Sequence, residues 1–351
     1  MGETSKARAG EHLDADKLLA YLHTHLQSST GEISVEQFPA GSSNLTYLVR
    51  VGDDEYVLRR PPFGNTVRTA HDMNREYQVL SKLSAVYGPA PKPLNYCDDV
   101  SVIGSEFYLM ERRNGLILRG TSPPELNRSA DLQREVCESF IKNLAGLHAI
   151  DHDAAGLGSL GKPEGYCRRQ VEGWTKRYFA AKTDELPELE LVIAWLNANV
   201  PTESGATLVH NDYKFDNIML DPSDLTKVTA VLDWEMVTVG DPLMDLGTTL
   251  GYWMSPDAGD AMLSMPFNPR VLMENVTRAD LAEMYAAASG RDVSNILFYY
   301  IYGTFKIAVI AQQIYARYVK GFTADPRFAN FDLFVANLAK IGKEAIKRRS
   351  I

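Results

Sequence analysis

Polar residues crowd into one short stretch, His210-Asn211-Asp212-Tyr213-Lys214-Phe215-Asp216-Asn217, and a further acid, Asp233, follows in Val231-Leu232-Asp233-Trp234-Glu235. Both stretches border apolar, β-favouring runs: Thr207 to Val209, Ile218 to Leu220 and Val228 to Leu232. A protein that catalyses phosphoryl transfer chiefly positions groups and neutralises charge. It needs a carboxylate near the attacking hydroxyl, oxygen ligands for magnesium and cations on the phosphates. Asp212 is the candidate to accept or orient the hydroxyl proton, and Asn217 with Asp233 would offer the hard oxygen ligands that magnesium prefers. Lys214 is a candidate contact of the transferred phosphate, with a solvated lysine as the plain alternative. His210 reads as a brace for the loop, and Asp216 and Asp241 as turn or cap residues, because short acidic side chains bond readily to nearby backbone. A metallohydrolase using His210, Asp212 and Asp233 is the other chemistry these types allow, but no second histidine cluster supports a two-metal site.

These residues must be held by the elements around them. Residues Asp14 to Leu26 carry Leu18, Leu19, Leu22 and Leu26 at helical spacing, with Asp14 placed to cap the first turn. Ile33 to Phe38, Leu45 to Val51 and Tyr56 to Arg59 then read as an antiparallel meander, with Gly52-Asp53-Asp54 as a turn and Pro61-Pro62 as the stop. A helix is expected between Thr69 and Ala85, where Met73, Tyr77, Leu80 and Leu83 form one face and Glu76 falls inside the apolar stripe. A carboxylate there needs a partner. Strand alternation puts Val57 and Arg59 on one face of their strand. Leu94 to Cys97 and Glu106 to Met110 supply two more strands, and Gly115 to Asn127 reads as a connector. Beyond it the pattern is mostly helical, at Leu132 to Leu147, Leu189 to Leu196, Leu281 to Ala288, Ile296 to Tyr318 and Phe331 to Ile346.

The H-x-D-x-x-x-x-N spacing from His210 to Asn217, with an aspartate ending the next apolar strand, resembles the catalytic and metal-binding motifs of the kinase superfamily. It looks most like the aminoglycoside phosphotransferase family, with its choline kinase-like relatives. In that family Asp233-Trp234-Glu235 would replace the glycine-containing metal motif of protein kinases, and Gly240-Asp241-Pro242-Leu243-Met244-Asp245-Leu246-Gly247 is also similar to it. The resemblance implies an α+β, bilobal protein-kinase-like fold. Residues 13–113 would be a nucleotide-binding lobe with a small antiparallel sheet, and residues 114–351 a larger helical lobe for catalysis and substrate binding. It also implies ATP and Mg2+ as cofactors and Asp245 as a buttress accepting backbone hydrogen bonds.

Further roles follow from the same resemblance. Ala40-Gly41-Ser42-Ser43-Asn44 lies where the family has its phosphate-covering loop, so Gly41, Ser42, Ser43 and Asn44 are expected nucleotide contacts. Val57 would face the nucleotide, and Arg59 stands where a lysine is expected, with Glu76 as its ion-pair partner toward the α- and β-phosphates. Arginine and lysine are not interchangeable, so a nucleotide-binding pseudokinase that regulates a partner is the alternative that this departure leaves open. Met110 would lie behind the adenine, with the Glu111 carbonyl and the Arg113 amide as backbone contacts. Val57 to Pro62 with Arg75-Glu76-Tyr77 looks most like the phosphotransferase domains related to acyl-CoA dehydrogenase fusions, which implies a hydroxylated acyl-thioester as one candidate acceptor and an aminoglycoside as another.

Composition narrows the partners. Across 351 residues, 36 basic and 45 acidic side chains give a net charge of −9, which argues against nucleic acid as the main partner. The most apolar stretch, Ile296 to Ala311, is shorter than the roughly 20 residues of a membrane span and carries Lys306, so a buried helix is expected. Cys97, Cys137 and Cys167 are too few and too scattered for a disulfide framework or a zinc site, which points to a reducing, cytoplasmic setting. Residues 1–12 are polar and are expected to form a disordered tail. The partners expected are ATP and a hydroxylated small molecule, with neither nucleic acid nor membrane, for a monomer or homodimer.

Overall fold

Alternating apolar residues in the first half of the chain fold as the pattern requires, into antiparallel strands whose inner faces share one core. The structure, a computed structural model, describes residues 4–26, 30–39, 44–63, 72–119, 122–263, 265, 267–323 and 325–351. The chain divides into two compact units, the first made of Met1–Asn114 with Thr229–Glu235 and the second of Gly115–Val228 with Met236–Ile351.

In the first unit, helix α1 (Ala15–His25) starts at Asp14, whose side chain accepts from the Lys17 amide. Strands β1 (Ile33–Gln37), β2 (Leu45–Val51), β3 (Asp54–Arg60), β4 (Pro93–Cys97) and β5 (Phe107–Glu111) form a five-stranded antiparallel sheet in the order β1-β2-β3-β5-β4. The β2–β3 turn is only two residues long, and Gly52 takes φ +56°, which a glycine tolerates without a Cβ penalty. Leu18 and Leu22 of α1 close one face of this sheet over Tyr47, Val49, Val51, Leu58, Phe107 and Leu109. Helix α2 (Met73–Leu83) buries Met73, Glu76, Val79, Leu80 and Leu83, so the acid in the stripe is indeed buried. A short helix, α3 (Val100–Ile103), completes this unit.

The polar segment expected to be disordered is instead tied down from Thr4 to Glu11. The backbones of Ser5 and Gln37 exchange hydrogen bonds of 2.9 and 2.8 Å, Thr4 Oγ1 donates to Glu36 (2.6 Å), and Tyr47 Oη donates to the Glu11 carbonyl (2.8 Å). The physical reason is that β1 is an edge strand, and its unpaired backbone groups recruit the preceding chain.

The second unit is built from α4 (Pro124–Arg128), α5 (Ala130–His148), α6 (Tyr166–Ala181), α7 (Pro187–Ala198), α8 (Pro242–Tyr252), α9 (Asp260–Leu263), α10 (Arg270–Asn275), α11 (Arg278–Ser289), α12 (Ile296–Val319) and α13 (Phe331–Arg348). Strand β6 (Thr207–Val209) pairs antiparallel with β9 (Thr238–Gly240), and β7 (Ile218–Asp221) forms a ribbon with β8 (Asp224–Val231). The small-sheet-plus-helices α+β organisation expected from the sequence is what forms. Among the described residues no helix is long and apolar enough to cross a membrane; α12 is long but buries Lys306 and Gln312 within the protein.

Helices α8 and α12 meet backbone to backbone. A Cβ on Gly303 would collide with the Gly247 carbonyl, and one on Gly247 would collide with the Tyr299 carbonyl. Neither obstacle is a flexible side-chain end. Gly303→Ala is therefore expected to destabilise the protein by about 1–3 kcal/mol, the usual cost of overpacking, read as a lowered midpoint in urea unfolding. An unchanged midpoint would mean that the two helices slide apart freely.

Candidate functional site

Strand β6 delivers the chain into His210, and the polar stretch ends where β7 begins. Between them Asn211 adopts φ +68°, a left-handed conformation that asparagine visits more readily than most residues. The surroundings fix it there. Its amide donates to Asp245 Oδ1 (2.7 Å), its Nδ2 donates to the Met236 carbonyl (3.1 Å), and its carbonyl accepts from Lys306 Nζ (2.6 Å). Asp245, fully buried on α8, also accepts from the His210 amide (2.6 Å) and bonds His148 Nε2 (3.1 Å), while His148 Nδ1 meets Tyr285 Oη (2.7 Å). Burial pushes the Asp245 carboxyl up, but the bond and charge of His148, with His210, outweigh it and leave the group below its usual range.

This bracing presents Asp212. Its Oδ1 accepts from Tyr252 Oη (2.7 Å), and its Oδ2 accepts from Asn217 Nδ2 (2.9 Å) and from Lys214 Nζ. Burial raises the Asp212 carboxyl, yet the Lys214 ammonium, followed by the hydrogen bonds from Lys214 and Tyr252, brings it below its ordinary value. The group is held as a carboxylate of fixed orientation. Tyr252 is positioned in turn by Phe267, whose ring centroid lies 4.9 Å away, and by Asn268, which donates to the Tyr252 carbonyl (3.0 Å) and accepts from the Phe215 amide (3.1 Å). Asn217 spends its Nδ2 on Asp212, and its Oδ1 carries no hydrogen bond among the described residues.

The first unit carries a second polar set. Arg59, on β3 opposite Tyr108 of β5, sets its guanidinium among three carboxylates: Asp233 (3.0 Å), Glu76 (3.5 Å) and Glu235 (3.7 Å). Asn44 Nδ2 donates to Glu235 (2.9 Å) and Arg75 to the Glu235 carbonyl (3.1 Å). Burial alone would lower the Arg59 pKa, but Glu76 and its acidic neighbours hold it firmly charged. Glu76 moves the other way. Burial raises it, Asp233 adds to the rise, and the charges of Arg59 and Arg75 do not fully compensate. Asp233 sits at φ +66°, a backbone conformation that costs a non-glycine residue about 1–3 kcal/mol and persists where the surroundings enforce it. Within this cluster Asp233 has a hard oxygen to spare: its Oδ1 meets Arg59, and its Oδ2 carries no hydrogen bond among the described residues.

That chemistry fits a magnesium ion. Among the described residues no three His, Cys, Asp or Glu side chains cluster to cage a metal. Magnesium suits such a supply, because it commonly takes one or two protein oxygens and completes its shell with phosphates and water. Val57 and Met110 face each other across β3 and β5, both buried, on strands that also carry Arg59 and Glu111. The Glu111 carboxylate accepts from the Lys92 amide (2.7 Å) and pairs with Arg113 (2.7 Å). Of the expected phosphate loop, only Asn44 is described; Gly41, Ser42 and Ser43 lie outside the described residues.

A profile of the phosphotransferase enzyme family, APH, matches residues 34–291. The chain belongs to the APH family. It is 36% identical over 355 residues to acyl-CoA dehydrogenase family member 11 of Gallus gallus, a match covering 99% of this chain but 45% of that relative. The chain thus spans about half the length of the curated relatives it matches. Among solved structures, a candidate aminoglycoside phosphotransferase from Ralstonia eutropha JMP134 superposes with a TM-score of 0.79 at 30% identity, covering 96% of this chain and 99% of that one. Choline kinase from Cryptosporidium parvum Iowa II shares the fold, with a TM-score of 0.64 at 13% identity over 95% and 97% of the two chains. This member of the phosphotransferase enzyme family therefore has the protein-kinase-like fold.

Sequence reasoning placed Asp212, Lys214 and Asn217 in one stretch, and the fold brings their side chains together; Arg59, Glu76 and Asp233 likewise meet. It missed Tyr252, His148 and Lys306, which reach these groups from helices. Lys306 carried a usable signal, a lysine inside an otherwise apolar helical run.

Proposed function

We propose that this APH-family chain moves the γ-phosphate of ATP, with Mg2+, onto the hydroxyl of an anionic metabolite, with hydroxyacyl-CoA-like thioesters preferred over aminoglycosides. The observation that carries it is the Asp212 carboxylate, oriented by Tyr252, Asn217 and Lys214 within the H-x-D-x-x-x-x-N stretch. Asp212 accepts the hydroxyl proton, and Lys214 moves from Asp212 to the transferred phosphate. Asn217 and Asp233 would hold magnesium, which supplies charge neutralisation at the phosphates. Arg59, kept charged by Glu76, faces the α- and β-phosphates, while Val57, Met110 and the backbone of Glu111 and Arg113 hold the base, with Gly41 to Asn44 over the phosphates.

The acceptor preference rests on charge. A crevice of about 330 Å³ in the second unit is lined by Ser255, Arg278, Tyr300, Lys340, Glu344 and Arg348, so three cations stand against one carboxylate side chain. Its lining residue Ser255 follows Tyr252 by three positions in the chain, and Arg278 is fixed by the Trp253 carbonyl (2.7 Å) and by stacking 4.6 Å over Tyr300. Such a lining repels a polycationic antibiotic and suits an acceptor bearing phosphates. The relation to acyl-CoA dehydrogenase family members points the same way.

The test is ATP consumption with hydroxyacyl-CoA compounds and aminoglycosides side by side. Stimulation by the CoA alcohols and none by kanamycin is expected. The reverse order would remove the acceptor assignment, and magnesium-dependent nucleotide binding without turnover on any acceptor would favour the regulatory alternative.

A further inference from the structure

Among the charged side chains of the second unit, Lys306 is buried to 1% exposure in the middle of α12, a helix otherwise packed with Tyr299, Ile301, Tyr302, Phe305, Ile307 and Val309. Burying an ammonium in such surroundings is costly unless its charge is used. Its Nζ lies 2.6 Å from the Asn211 carbonyl and 3.3 Å from Asn211 Oδ1, beside the Trp174 ring at 5.8 Å. The carbonyl it grips belongs to the peptide that leads directly into Asp212. On the other side of Asn211, the amide is gripped by Asp245 (2.7 Å), so a cation and an anion hold the two ends of one left-handed residue.

We propose that Lys306 is a positioning residue whose ammonium clamps the Asn211–Asp212 peptide, and that loss of its proton loosens Asp212 and slows phosphoryl transfer. The inference rests on the reading of Asp212 as the base. A charge-assisted hydrogen bond is roughly twice as strong as a neutral one, so the neutral amine grips the same carbonyl more weakly. Asn211, whose left-handed conformation is pinned by these bonds, then gains freedom, and the orientation of the Asp212 carboxylate is lost with it.

The clamp should titrate in an accessible range. Burial lowers the Lys306 pKa to about 8 against the opposing pull of Asp245 on α8 and Asp212 in the loop, while Lys214 and Arg177 on α6 push it down further. Helices α7 and α13, also packed on α12, contribute none of these four groups. The sign follows: the ammonium is present below about pH 8 and lost as pH rises through it, so activity should show an alkaline limb.

The experiment compares wild type, Lys306→Met and Lys306→Arg by kcat at saturating Mg-ATP and acceptor, and by the NMR shift of the Asp212 backbone amide, across neutral to alkaline pH. Wild-type kcat is expected to fall through the limb and level off at about a tenth of its neutral value or below, near the rate of Lys306→Met. Lys306→Met should lose about tenfold or more at neutral pH and be flat across the range, since it has no proton to lose. Lys306→Arg should recover part of the rate and carry no limb, because guanidinium stays charged. The Asp212 amide should titrate with a midpoint near that of the limb in wild type and in neither variant. A limb unchanged in Lys306→Arg, or an Asp212 amide that does not titrate in wild type, overturns the clamp; the arginine variant serves even where the methionine variant fails to fold. Titration of the Asp212 amide in a wild type that turns over no acceptor would support the clamp while retiring the proposed phosphotransfer.

Discussion

Asp212→Asn is expected to lower turnover by about 10²- to 10⁴-fold while nucleotide binding persists, the range ascribed to a well-placed general base. The substitution keeps the side chain's shape and removes its charge. Oδ2 of Asp212 gathers the Lys214 ammonium and the Asn217 amide, and Oδ1 takes the Tyr252 hydroxyl; all three partners are donors. An asparagine has one acceptor oxygen to offer them, so with that oxygen on Lys214 and Asn217 its NH2 faces Tyr252, whose hydroxyl must reverse from donor to acceptor. Lys214 also loses the anion that parks it. In the proposal the base and the α- and β-phosphates are held by Arg59, Val57, Met110 and their neighbours, and of the nucleotide-side groups only Lys214 and Asn217 bond Asp212, so binding followed by nucleotide fluorescence should persist. Turnover equal to wild type would end the assignment of Asp212 as the base.

Asp245→Ala is expected to cost about 3–5 kcal/mol of stability, the scale seen when one partner of a buried charged network is removed. Three groups are stranded by it. The amides of His210 and Asn211 lose acceptors at 2.6 and 2.7 Å, and His148 loses its 3.1 Å partner, all at positions without access to water. Urea unfolding reads the loss, and a midpoint within error of wild type would show that water or a neighbouring group replaces the carboxylate. Acid adds a second check. The Asp245 carboxyl lies below its ordinary value of 3.8 in the folded protein, so its contribution is fully present above that value and is lost as pH falls through the lower folded one. The alanine variant should lack that share of the acid sensitivity, so its deficit relative to wild type should shrink below pH 3.8.

Legibility of the site tracks contact distance along the chain. Asp212, Lys214 and Asn217 fall within six residues of one another, so the loop that joins two strands gathers them without help from the rest of the protein. Glu76 was visible for a different reason: an acid in an apolar helical stripe is a local contradiction, and only a distant cation resolves it. Helix α8 escaped the periodicity analysis because it is buried on every side, from Pro242 to Tyr252, and shows no polar face to alternate with an apolar one. Strand β9 escaped because its three residues, Thr238-Val239-Gly240, end in a glycine that runs into Asp241-Pro242 and so reads as a turn.

By itself, the sequence determined the chemistry on offer and the local frames that carry it: a carboxylate, an amide and a lysine at fixed spacing in one loop, and an arginine on a strand. Spacing along a chain is enough for that, because strands and turns impose their own geometry on near neighbours. Which side chains finish those groups was decided only by the tertiary structure. Tyr252 reaches Asp212 across 40 residues, Lys306 reaches Asn211 across 95, and His148 reaches Asp245 across 97. The close approach of α8 and α12 at Gly247 and Gly303 joins two of those helices, and helical periodicity records which face is buried without recording against what.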